Sequence, residues 1–285
     1  MRRTKTHYQT ANFKTAKAAK SRFLVSLIVA ALGVAALLAT PAGATSKVQS
    51  HKAKSSVGAA NAAGVERQSR NGFMSNGRFV KVDVVRAQNA PDTAPGVLIL
   101  HGSRGLGDGS LFYPQAQALA EAGISAFVVH YYDGLPSSVH QASPALHDQR
   151  DKILENAISW VQDLPYVDHE RIGVFGLSLG GFHALSLASR DVRISAIVDV
   201  SGALPAPIVR EGIDHMPPTL ILHGDRDPTV PVRRAYELAS LLDDLGTPYE
   251  LNIYKGQGHG FRGAAQDDSV QRTVEFFGRY LTSPS

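Results

Sequence analysis

The chain has 285 residues, 44% hydrophobic and 19% charged. That is enough for one substantial core and too apolar for a wholly disordered polymer. The formal charge of +4 is concentrated in residues 1–44, which hold seven Lys/Arg and no Asp/Glu; the remainder carries 22 basic against 25 acidic side chains, a net of −3. A basic nucleic-acid face is therefore not expected, and the absence of cysteine excludes disulfides, thiolate metal sites and a cysteine nucleophile.

In chain order, a basic segment to Arg22 leads into the uncharged run "FLVSLIVAALGVAALLA" and then "TPAGATS", with small residues at Ala42 and Ala44. Basic, apolar, small is the order of a secretory signal, so residues 1–44 are expected to export the domain. The alternative is a retained membrane anchor, because Phe23 to Ala44 is just long enough to span a bilayer. Residues 45–77 are rich in Ala, Ser, Gly, Asn and Lys, lack apolar periodicity, and are expected to form a flexible linker. The folded domain is expected over 78–285.

"RFVKVDVVRA" alternates, as a half-buried strand does, and "GVLILHG" (96–102) is a continuous apolar run, as a strand buried on both faces would be. A helix closed by Gly123, a strand at 124–132 and an amphipathic helix from His147 follow. Further strands are expected at 171–176, 194–202, 218–224 and 249–256, interleaved with helices after Gly180, Arg233 and Ser269. Such alternation over about 200 residues predicts an α/β fold, a mainly parallel sheet with helices on both faces. Functional groups then collect where strands end.

Four strand ends carry polar residues. Gly176-Leu177-Ser178-Leu179-Gly180 fits G-x-S-x-G after a strand and before a helix, a sharp turn that holds a serine hydroxyl clear of the sheet. The residues two before and two after the serine, Gly176 and Gly180, must be small because the turn crowds them together. The Leu179 amide would open the helix, where N–H groups favour negative charge. "HGDRDPTVPV" offers Asp225 and Asp227 to orient an imidazole. His259, between two glycines after the last strand, is the candidate base. Ser178, an Asp and His259 occur in the chain order of α/β-hydrolases. "LHGSRG" leaves a strand where such enzymes place a second anion-binding amide, assigned to Ser103. His101 and His223 are expected to orient loops. His130, His147 and His183 offer no H-x-x-x-H spacing and gather no carboxylates in sequence, so no metal site is expected.

"LHGSRG", "GLSLGG", "HGDRDPTVP" and "GHGF", in this order, resemble the dienelactone hydrolase family of the α/β-hydrolase superfamily over roughly residues 79 to 282. The resemblance implies the α/β-hydrolase fold and a carboxylic-ester or lactone hydrolase acting on a small molecule, without cofactor, through an acyl-enzyme. It selects Asp227 over Asp225, because the family places its acid two residues before the T/V-V-P element. Two positions depart from it: Ser178 stands where founding members have cysteine, and Gly102 where they have Glu. Arg262 is an out-of-register candidate for holding a substrate carboxylate. An acyltransferase, a peptidase or a non-catalytic envelope binder are the alternatives, and the segment 134–148 is expected to border the pocket.

Overall fold

The computed structural model describes residues 64–205 and 212–282. The expected signal or anchor at 1–44 lies outside the described residues. Among the described residues no helix is long and apolar enough to cross a membrane.

Among the described residues eight strands form one sheet: β1 (Val65–Ser75), β2 (Arg78–Ala87), β3 (Ala94–Leu100), β4 (Ser125–Val129), β5 (Val167–Leu177), β6 (Ile194–Val200), β7 (Thr219–Gly224) and β8 (Tyr249–Tyr254). Their spatial order is β1-β2-β4-β3-β5-β6-β7-β8. β1 and β2 pair antiparallel, β2 meets β4 antiparallel, and every pairing from β4 to β8 is parallel. Among the described residues five helices accompany them: α1 (Tyr113–Glu121), α2 (His147–Gln162), α3 (Leu179–Ala188) and α4 (Arg233–Leu245) between strands, and α5 (Ala264–Phe277) after β8. This is the expected α/β-hydrolase architecture.

Strand alternation divides the core. Leu98, Leu100, Ile172 and Val174 face α2, α3 and α4 and pack with Ile153, Leu185 and Leu238. Val97, Ile99, Phe175 and Leu177 face α1 and α5 and pack with Leu119, Phe276 and Phe277. All seven residues of β3 are buried. Cover on both sides is why the central strands read as continuous apolar runs. Each fully buried aliphatic side chain contributes about 1.5–3 kcal/mol, which fixes the strands rigidly enough to aim the loops at their ends.

The flexible-linker expectation for 45–77 is corrected over its last part. Val65–Ser75 is β1, in register with β2 and closed by a two-residue turn at Asn76 (φ 51°) and Gly77 (φ 71°). Two successive left-handed residues twist the hairpin in the sense the strands require, and Asn-Gly is their preferred sequence. β1 escapes the apolar-periodicity reading because it is an edge strand held mainly by backbone pairing. Only Val65, Phe73 and Ser75 along it are buried.

Candidate active site

β5 enters the sheet centre and turns sharply at Ser178, whose φ of 55° and ψ of −115° are strained for a residue with a Cβ. Glycines make the turn possible. A Cβ on Gly176 would lie 2.2 Å from the Gly180 carbonyl oxygen, and one on Gly180 would lie 2.2 Å from that of Leu100. The strand is tied down by Ser178 N–H to Val200 O at 2.8 Å. α3 then begins at Leu179, so the Leu179 N–H has no intrahelical acceptor.

The expected side chains meet. The Ser178 hydroxyl lies 2.7 Å from His259 Nε2, and His259 Nδ1 lies 2.7 Å from Asp227 Oδ2. Asp227 is aimed by its own loop: Oδ1 accepts the N–H groups of Thr229 (2.8 Å) and Val230 (2.9 Å). Burial alone would raise its carboxyl. The Val230 amide, the His259 imidazole and the Thr229 amide outweigh burial and hold it below the ordinary range. Asp225 faces elsewhere, accepting the Gly256 N–H at 2.6 Å. His223 is buried and donates from Nε2 to Val230 O at 2.8 Å, bracing the loop that carries Asp227. Burial, first among the causes, lowers its pKa, so it donates as a neutral ring.

His259 is delivered by close backbone approach. The Arg226 N–H bonds Gln257 O at 2.9 Å, and a Cβ on Gly224 would lie 2.4 Å from that same oxygen. Gly260 at φ 92° turns the chain back, and Phe261 anchors it against Tyr254 with ring centroids 4.3 Å apart. The imidazole keeps 23% exposure, open to a small molecule.

Ser178, His259 and Ser103 open on a cavity of about 360 Å³. Its wall is the β3–α1 loop, with Leu106, Leu111 and Phe112 on the apolar side and Arg104 as a cation. The expectation that 134–148 borders the pocket is corrected, since none of these residues lines the cavity. That segment is instead gripped by Arg150, which donates to Gln141 O and Ser143 O. Nor does Arg262 line the cavity; its backbone N–H donates to Gln257 Oε1 within the His259 loop. The sequence signal for the true wall is the glycine spacing at 105, 107 and 109, each with positive φ. At position 102, a Cβ would lie 3.5 Å from Ser178 Cβ, so this position adjoins the serine.

The remaining histidines do gather carboxylates, contrary to the sequence reading. His130 bonds Asp83 at 2.9 Å. His183 bonds Asp151, which also receives Ser186 and Arg190. His147, Asp151 and His183 bring one ligand atom each within 4.8 Å of one another. The donor set does not favour a cation. Arg150 Nε–H can only donate, so His183 Nε2 accepts it at 2.8 Å and its Nδ1–H faces Asp151. Arg190 already supplies positive charge to the same carboxylate. Burial, opposed by Asp151, keeps the His183 pKa low. This network fastens α2 to α3, the helix that begins at the serine turn.

Residues 82–281 match the model of the dienelactone hydrolase family. Carboxymethylenebutenolidase of Rhodococcus opacus is 32% identical over 132 residues, 40% of this chain and 52% of that enzyme, so the match spans about half the relative's length. Among solved structures, the dienelactone hydrolase from Anabaena variabilis superposes with a TM-score of 0.61 at 21% identity, covering 76% of this chain and 99% of that one. A puromycin-hydrolyzing peptidase of Mycobacterium tuberculosis superposes with a TM-score of 0.63 at 20% identity over 79% of this chain and 41% of its own. Structural likeness at such identities speaks to fold alone.

Proposed function

The chain belongs to the dienelactone hydrolase family, and from that premise we propose that it is an exported serine hydrolase cleaving small carboxylic esters or lactones. The observation that carries this reading is the unbroken contact from Ser178 through His259 to Asp227 at a cavity mouth. In it, Ser178 Oγ attacks the ester carbonyl carbon while His259 Nε2 takes the hydroxyl proton. Asp227 keeps the Nδ1–H tautomer and stabilises the imidazolium. The N–H groups of Ser103 and Leu179 receive the oxyanion. The C–O bond to the alcohol breaks, and His259 returns the proton to that oxygen. Water, deprotonated by His259, then attacks the acyl carbon, the acyl C–Oγ bond breaks, and His259 returns the proton to Ser178 Oγ as the acid leaves. No step calls on a cofactor or metal.

The cavity volume supports a short substrate, and the name of the Rhodococcus opacus relative supports a lactone. A second reading has the same three side chains cleave an amide, as the fold is shared with a puromycin-hydrolyzing peptidase. Export rests on the sequence of residues 1–44.

Purified protein should hydrolyse p-nitrophenyl butyrate and be labelled by a fluorophosphonate probe at Ser178. Ser178→Ala should lose on the order of a millionfold in kcat and all labelling. A variant that turns over at the wild-type rate would remove the serine mechanism. Parallel assays on lactones and dipeptide amides separate the two substrate readings.

A further inference from the structure

The anion site depends on the direction of one peptide group. The Ser103 N–H belongs to the same peptide as the Gly102 carbonyl, and in a trans peptide the two point in opposite directions. Among the described residues no peptide is cis. Whatever grips the Gly102 oxygen therefore aims the Ser103 N–H. Two donors grip it: His101 Nδ1 at 2.9 Å and the Gly105 N–H at 3.0 Å. The Ser103 N–H itself meets no acceptor among the described residues, and Ser103 lines the cavity beside Ser178.

A carbonyl can only accept, so this contact fixes His101 as the Nδ1–H tautomer. The ring is 2% exposed. It stacks on Tyr131 with centroids 3.9 Å apart and meets the Tyr132 ring edge-on at 4.6 Å. The same tyrosines hold the flanking carbonyls. Tyr131 O–H donates to His101 O at 2.7 Å, and Tyr132 O–H donates to Ser103 O at 3.0 Å. Burial pushes the His101 pKa down to about 4, so the ring stays neutral across the physiological range. A phenylalanine would fill this stack as well; what the imidazole adds is the Nδ1–H.

We propose that His101 is the positioning residue of the anion site: its Nδ1–H holds the Gly102–Ser103 peptide so that the Ser103 N–H faces the cavity, with Tyr131 and Tyr132 as its backing. The proposal rests on the serine-hydrolase reading above. Hydrogen bonds into the carbonyl also polarise the peptide and strengthen the N–H as a donor. His101 touches no reacting atom and moves no proton.

The test compares His101→Phe, which keeps a ring without the donor, with His101→Asn, whose amide nitrogen replaces Nδ1. With p-nitrophenyl butyrate, His101→Phe should lower kcat about 10- to 100-fold, as small misplacements of catalytic groups do, and leave KM nearly unchanged. His101→Asn should recover most of the loss. Affinity for an alkyl trifluoromethyl ketone, which forms an oxyanion on Ser178, should fall in step with kcat/KM. A folded His101→Phe with wild-type kcat and ketone affinity overturns the proposal and leaves the serine-hydrolase reading standing. Wild-type protein that neither turns over esters nor labels at Ser178 removes that reading, and the proposal with it. Should His101→Phe fail to fold, the imidazole ¹⁵N spectrum of the wild-type protein decides. Nδ1 protonated and Nε2 bare between pH 5 and 8 supports the proposal; an Nε2–H tautomer overturns it.

Discussion

Replacing Asp199 by asparagine should change how the stability of this protein depends on pH. Asp199 is the penultimate residue of β6, with its carboxyl fully enclosed, and neither oxygen has a well-formed hydrogen bond. Burial, only partly offset by the Gly202 amide, pushes its pKa from 3.8 up to about 7. The folded chain therefore keeps a proton that the unfolded chain has already released between pH 4 and 7. The folded state binds more protons in that window, so stability falls as pH rises through it. A shift of that size corresponds to about 4 kcal/mol in full, of which about 2.5 kcal/mol develops between pH 5 and pH 8. Asparagine does not ionise, and the other titrating groups cancel in the comparison. Urea unfolding of wild type and Asp199→Asn at both pH values should show the variant gaining on wild type by about 2.5 kcal/mol. A difference that is the same at pH 5 and pH 8 would refute the enclosed neutral acid.

Four further outcomes follow from the geometry. Ser178→Gly should abolish ester turnover and raise stability by about 1–3 kcal/mol, because it releases the left-handed strain at 178; a lowered melting temperature would count against that strain. Gly180→Ala should cost about 3 kcal/mol or more, whereas Gly102→Ala, with its nearest neighbours at 3.5 Å, should be nearly neutral in urea titrations. Asp151→Ala should cost about 1–3 kcal/mol in the same assay, since it leaves the buried Nδ1–H of neutral His183 without its acceptor. Asp227→Ala should lower kcat on the order of ten-thousandfold, while Asp225→Ala should leave most of it, because only Asp227 reaches the imidazole.

The parallel core was legible because burial on both faces writes itself as uninterrupted apolar runs, as in "GVLILHG". The serine turn was legible because crowding leaves no alternative to glycine at 176 and 180. β1 was not, because an edge strand answers to backbone pairing more than to apolar rhythm; the Asn76-Gly77 pair was the available clue. The cavity wall was missed for a related reason. A loop of glycines and small residues has no periodicity, and only its left-handed glycines show that it is built to a shape. The His183–Asp151–Arg150 network was invisible because its members come from two helices and meet only after α2 docks on α3.

The hydroxyl at 178 is separated from its imidazole by 81 positions, and the imidazole follows β8, which among the described residues pairs with β7 at the sheet edge. On the serine-hydrolase reading, a growing polypeptide thus leaves the ribosome with its serine unactivated until that last strand has docked. Chemical tagging of Ser178 would then act as a clock for completion of the sheet, reporting assembled molecules and passing over nascent ones.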